Sequence, residues 1–247
     1  MTVQFARKGD SIEFLATVEK GADLQLFRWG GVAGVAGALC MFGTLAVVTV
    51  LALPDASDVA TLTDYPDIAG GRMAEHFLYL GALVLFALHV LVLYRMLRPA
   101  HPAAALFGAA TALMGFIAMA ASSLLHISTA PLSDLYETAE AGERAAIEAA
   151  WVGAQSVFDT MLATGVLLVP IGLMLLGLAM RRFPAIASSI MWLTIGIGTV
   201  GALGAVIAII DPGSMFSAIS VLGMTVVLLA TGWQMQRVRA GMRDLAG

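Results

Sequence analysis

Two histidines and several carboxyl and amide side chains interrupt otherwise apolar stretches of this sequence. His76 lies near the start of one apolar run and His126 at the end of another, and WVGAQSVFDTMLATGVLLVPIGLMLLGLAM is apolar except where it contains Gln155 and Asp159. Imidazole and carboxylate both bind Zn²⁺, and a catalytic zinc keeps a fourth position for water. His76, His126 and Asp159 would therefore suit a metal-assisted enzyme. The alternative, which we favour, is a hydrogen-bonded histidine–aspartate network without metal.

The composition shows what kind of scaffold must position these residues. Of 247 residues, 60% are hydrophobic and 12% are charged, with a mean hydropathy of +0.90, whereas a soluble domain has roughly 25% charged residues. Six apolar runs reach the ~20 residues that cross a bilayer as a helix. The sequence therefore predicts an all-α membrane protein, a bundle of six transmembrane helices in one domain (30–247). The predicted spans are 30–53, 75–95, 103–127, 151–180, 184–210 and 214–236.

The basic residues predict the orientation of this bundle. Eleven of the thirteen fall on one side of a six-span topology, and only Arg72 and Arg144 fall on the other. Positive residues favour the cytoplasmic side, so we expect both termini in the cytoplasm and the protein in the inner membrane as a multi-pass protein. Residues 1–29 are expected to form a cytoplasmic segment that contains an amphipathic helix over 10–27. The acidic residues lie mostly on the outer side, where two long loops, 54–74 and 128–150, are expected.

Helix geometry places the polar residues at a common depth. At ~1.5 Å per residue, Asp159 lies about 33 Å above Arg181 and His76 about 28 Å above Arg95. Both values are close to the ~30 Å thickness of the hydrocarbon core. We therefore expect a polar layer at the outer ends of the helices, as a candidate ligand pocket. Its members are Glu75, His76, His126, Gln155, Asp159 and Asp211.

His89 stands apart from this layer, since it lies only ~9 Å above Arg95 and therefore within the hydrocarbon. An ionisable residue inside the membrane is a functional candidate, although a histidine that is hydrogen-bonded to a neighbouring helix is the simpler interpretation. A haem electron carrier is a further alternative. A separation of thirteen residues places His76 and His89 on nearly opposite sides of the helix, so each histidine would need its own axial partner. No cofactor is expected in the preferred interpretation.

Small residues recur at four-residue spacing in the first and fifth spans. This spacing lets helix backbones approach closely, so we expect these faces to pack against the chain's own helices, against partner membrane subunits or in a homo-oligomer. GIGTVG in the fifth span matches a dinucleotide-binding pattern, but it lies mid-helix, where its N–H groups are already bonded. The small residues at four-residue spacing are the pairs Gly30/Gly34, Ala33/Gly37, Gly198/Ala202 and Gly201/Ala205.

The run VPIGLMLLGLAMRRFPAIASSIMWLTIGIGTVGALGAVIAII joins a Gly- and Leu-rich span to a small-residue span through an Arg/Pro turn. Together with YLGALVLFALHVLVLYRMLR in the second span, it resembles a family of bacterial six-helix membrane proteins of unknown function. The resemblance implies the topology and supplies no catalytic residue. The sequence thus favours a non-enzymatic membrane protein that binds lipid or a small molecule, or an accessory subunit of a membrane complex, with no role in nucleic-acid binding.

Overall fold

Long apolar helices make up nearly the whole of this computed structural model, which describes residues 22–54, 59–211 and 216–244. The six spanning helices are long and apolar enough to cross a membrane, and no strand occurs in the described residues. The all-α, six-span architecture predicted from composition is therefore confirmed. The helices are α1 (Ala22–Val50), α2 (Ala60–Leu97), α3 (Pro102–Ile127), α4 (Ala130–Thr138), α5 (Ala141–Met180), α6 (Ser188–Ile210) and α7 (Phe216–Asp244).

The six spanning helices form a closed ring. Each packs against its neighbours in chain order, with α5 following α3 in the ring, and α7 packs back against α1. The buried apolar side chains of all six helices form one core, which includes Phe86, Phe116, Leu173 and Leu228. The short helix α4 lies outside this ring and packs on α2 and α5.

Glycine allows the closest helix contacts in the ring. An added Cβ at Gly115 would lie 3.0 Å from the carbonyl oxygen of Gly165, and one at Gly172 would lie 2.6 Å from the amide nitrogen of Ala112, so α3 and α5 meet backbone to backbone. The small residues predicted as packing faces also contact the chain's own helices. Gly34 meets His89 of α2 and Leu228 of α7, and Gly198 meets α5.

Three of the predicted boundaries differ from the structure. The outer loop predicted over 128–150 is occupied mostly by α4 and the first turns of α5. The outer loop predicted over 54–74 is helical from Ala60 onward, because its apolar residues pack against α4 and α5 as described below. The amphipathic helix predicted over 10–27 lies outside the described residues as far as residue 21, and residues 22–27 belong to α1.

A second, smaller core forms where α2 and α5 extend beyond the ring. Trp151 is fully buried there against Leu62 and Tyr65. Pro66 has no N–H to donate to the carbonyl of Leu62 one turn earlier, and the Ser133 hydroxyl of α4 donates to that carbonyl at 2.7 Å. We call this unit of α4 and the first turns of α2 and α5 the cap.

Candidate functional site

A buried polar cluster lies between the cap and the main core. The rings of its two histidines, His76 and His126, contact each other at a tilt of 50°, with their centroids 4.8 Å apart. His76 Nδ1 lies 2.9 Å from Ser123 Oγ, and His126 Nδ1 lies 3.2 Å from Gln155 Oε1. Helices α2, α3 and α5 thus each contribute to the polar cluster, which we define as Arg72, Glu75, His76, Tyr79, Ser123, His126, Trp151 and Gln155.

An ion pair forms one side of the polar cluster. Arg72 Nη1 lies 2.9 Å from Glu75 Oε2, and Arg72 Nη2 donates to the carbonyl of Pro54, four residues beyond the end of α1. The guanidinium is almost completely buried, and a buried charge is tolerated when it is paired and hydrogen-bonded. The two opposite charges leave this side of the cluster with no net charge.

The polar cluster is not satisfied by the protein alone. Across the described parts of the chain, six buried side-chain nitrogen or oxygen atoms have no hydrogen-bond partner from the protein, and all six belong to this cluster. Buried polar groups are normally paired, so these atoms call for ordered water or the polar group of a ligand. They are Arg72 Nε, His76 Nε2, Tyr79 Oη, His126 Nε2, Trp151 Nε1 and Gln155 Nε2.

A cavity of about 330 Å³ adjoins the polar cluster. Glu75, His76, Tyr79 and Ser123 form its polar wall, and the remaining wall is mostly apolar. Such a site, apolar with a few polar groups on one side, is typical of small-molecule binding. The other lining residues are Met41, Thr44, Leu45 and Val48 of α1, Phe158, Leu162 and Val166 of α5, and Ser217, Ala218, Val221 and Leu222 of α7.

Residues of α1 and α7 line the cavity on one side, and two of them are also exposed on the surface of the ring. These helices pack backbone to backbone where Gly31 meets Gly232, whereas towards the polar cluster the cavity lies between them. Leu45 and Leu222 both line the cavity and are also exposed on the outer surface of the ring, by 47% and 39%. In a membrane-spanning bundle this surface faces lipid, so the opening is lateral.

Asp159 does not join the two histidines, which corrects the predicted three-residue metal centre. It is exposed and lines a neighbouring cavity of about 550 Å³ with residues of α6, such as Ala208 and Ile209. Four residues turn a helix by about 40° beyond a full turn, which moves Asp159 from the side of Gln155 towards the side of Pro170, where α5 meets α6. Within the described ranges, no group of three His, Cys, Asp or Glu side chains is arranged to hold a metal ion.

Of the remaining predicted residues, some belong to the polar cluster and others lie elsewhere. Glu75, His76, His126 and Gln155 come together, whereas Asp211 ends α6 as an exposed residue and has no part in the polar cluster. His89 is fully buried among α1, α2 and α7. Its Nδ1 donates to the Gly30 carbonyl at 2.8 Å, and its Nε2 lies 2.8 Å from Thr231 Oγ1. Both ring nitrogens of His89 are thus used to join helices, which leaves neither for a haem iron.

Four members of the site were not predicted from the sequence: Arg72, Tyr79, Ser123 and Trp151. Spacing would have revealed the first three, since residues three, four and seven apart share a helix face. Arg72, Glu75, His76 and Tyr79 follow that pattern, and Ser123 precedes His126 by three. The neighbouring Ser122 instead donates to its own helix, at the Met119 carbonyl.

A comparison with protein families now adds to this geometry. A family model described as a domain of unknown function, DUF4386, matches residues 29–236. The chain belongs to the DUF4386 family. The match covers all six spans of this DUF4386 protein, from α1 to α7. It confirms the family resemblance seen in the sequence. No curated protein and no solved structure matches the chain.

Proposed function

We propose that this multi-pass membrane protein binds an amphipathic molecule that enters from the lipid phase. The observation that carries the proposal is the cavity of about 330 Å³ whose apolar wall ends at the polar cluster. Its volume lies within the range of roughly 300–1,000 Å³ that is typical of ligand sites. An apolar body would contact Leu162 and Val221, while a polar group would lie near His76.

The cap supports entry from the membrane rather than from water. Leu62 and Tyr65 of the cap cover Trp151 of the polar cluster, whereas we infer a lateral opening of the cavity between Leu45 and Leu222. An apolar molecule dissolved in the bilayer would reach this opening without crossing water. The proposal involves binding and no chemical step.

The location of the site follows from the proposed orientation. Eleven of thirteen basic residues fall on the side opposite the polar cluster, which supports an inner-membrane protein with both termini in the cytoplasm. The cavity would then lie in the outer half of the bilayer. A partner subunit bound through the small-residue faces is less well supported, because Gly34, Gly198 and Gly201 contact helices of the same chain.

Filling the cavity tests the proposal. Val221→Trp would place a large ring in the cavity, whereas Val226→Trp, on the same helix, would add the ring to an exposed position outside it. Each protein is purified in a mild detergent, and the lipidic molecules that remain bound are quantified by mass spectrometry. We expect a component that is present in the wild type and in Val226→Trp and is reduced at least tenfold in Val221→Trp. Identical bound components in all three proteins would contradict the proposal.

A further inference from the structure

The charges around the cavity indicate what kind of polar group the ligand carries. Glu75 contributes the carboxylate of the cavity wall, and Arg72 lies behind it, 2.9 Å away. The Arg72 guanidinium is also tied to the Pro54 carbonyl. A ligand in the cavity therefore meets a carboxylate that is already neutralised, and none of the described residues that line the cavity is a lysine or an arginine.

A charged ligand would be poorly matched to this wall. A carboxylate or phosphate would lie next to Glu75, while the positive charge of Arg72 is already paired, and burying an unpaired charge is unfavourable. An ammonium group would have to compete with Arg72 for Glu75. Breaking a buried ion pair is costly, because it leaves one charge without compensation.

An uncharged oxygen group fits the same wall. Tyr79 and His76 each contribute to the wall and each has a buried polar atom without a protein partner, and the Ser123 hydroxyl lies beside them. A hydroxyl or carbonyl oxygen accepts hydrogen bonds from such groups without bringing a charge. We propose that the site selects a neutral lipid whose head is a hydroxyl or carbonyl oxygen, as in a long-chain alcohol or a quinone, and discriminates against anionic and cationic lipids. This inference rests on the proposed function.

Competition among molecules with one chain and different heads tests the selectivity. The protein is placed in nanodiscs with a photoreactive dodecanol, and labelling of cavity residues is measured by peptide mass spectrometry. Unlabelled dodecanol, dodecanoate, dodecylammonium and decylubiquinone are then added as competitors. We expect dodecanol or decylubiquinone to displace the label at concentrations at least tenfold lower than the two charged molecules. The concentrations at which dodecanol and decylubiquinone displace the label show whether the site prefers an alcohol or a quinone head.

The outcomes separate the two proposals. If the cavity residues are not labelled at all, the binding function itself fails. If they are labelled and all heads compete equally, or a charged head competes best, binding stands and the neutral selectivity is wrong.

Variants of the ion pair give a second measurement. Glu75→Gln leaves the Arg72 charge uncompensated, so dodecanoate should become the strongest competitor. The concentration of dodecanoate that displaces the label should be at least tenfold lower for this variant than for the wild type. The double variant Arg72→Gln/Glu75→Gln removes both charges and should restore the preference for dodecanol. Thermal midpoints show whether each variant folds, and the wild-type competition decides the question if one does not. An unchanged order of competitors in a folded Glu75→Gln would contradict the role assigned to the pair.

Discussion

At the scale of single residues, small differences in helix position decide which polar groups meet. Gln155 and Asp159 are one turn apart, yet Gln155 contacts His126 while Asp159 faces another cavity. Sequence spacing could predict that both lie near the same end of the ring, since depth follows from counting residues. It could not predict which face of α5 meets α3, because the glycine contacts between these helices determine that rotation.

Gly198 and Gly196 lie on the same helix and offer a matched test of packing. A Cβ at Gly198 would lie 2.7 Å from the amide nitrogen of Met174 and 2.8 Å from the carbonyl oxygen of Pro170, whereas a Cβ at Gly196 meets nothing within 4 Å. Gly198→Ala should lower stability by about 1–3 kcal/mol, as overpacking does. Gly196→Ala should leave the thermal midpoint in detergent unchanged or slightly higher, because alanine favours helix. Equal midpoints for both variants would show that α6 does not pack on α5 in this way.

At the scale of elements, the extended helix α2 shows how distant contacts override local sequence. Asp64, Pro66, Asp67 and a Gly–Gly pair indicate an irregular loop when the segment is considered alone. The structure continues the helix through them, because Leu62 and Tyr65 are buried against Trp151 of α5, more than eighty residues away. A reading of local composition contains no information on that partner.

The bond between Ser133 and Leu62 predicts an energetic coupling with Pro66. Ser133→Ala removes the hydroxyl that donates to the buried Leu62 carbonyl and should cost about 1–3 kcal/mol, the usual penalty for an unsatisfied group. Pro66→Ala supplies a backbone N–H to the same carbonyl. In the Pro66→Ala background, Ser133→Ala should therefore cost less, by about 0.5–3 kcal/mol. Stability is measured by denaturant titration of the four proteins of this double-mutant cycle, and strictly additive effects would contradict the shared carbonyl.

At the scale of the whole molecule, the length and spacing of apolar runs were enough to predict six spans and one bundle. The closed ring and the cavity between α1 and α7 were not predictable, since they depend on how helices distant in sequence diverge. The hydrogen bonds of His89 to α1 and α7 belong to the same class of contacts. They join residues that are 59 and 142 positions apart in the chain, and such pairs leave no trace in local periodicity.

The distribution of basic residues predicts the orientation of the entire bundle. An alkaline phosphatase reporter, active only outside the cytoplasm, should be inactive when fused after Gly247. The same reporter inserted beside Gly142, a position where an added Cβ meets nothing within 4 Å, should be active. The positive-inside bias is the physical reason. Activity of the C-terminal fusion would show that the orientation is the reverse of the predicted one. The cavity would then lie in the cytoplasmic half of the bilayer.

The burial of Trp151 gives the protein an optical signal of its own. Trp29, Trp192 and Trp233 are 57–63% exposed on the outer surface of the helices, whereas Trp151 is 0% exposed beside His126. Brominated lipid chains should therefore quench the fluorescence of the three outer indoles and spare most of the emission from Trp151. A variant with the outer three replaced by Phe would keep a single fluorophore next to the polar cluster, so that changes in its emission would follow the occupancy of the site in intact membranes without any added label.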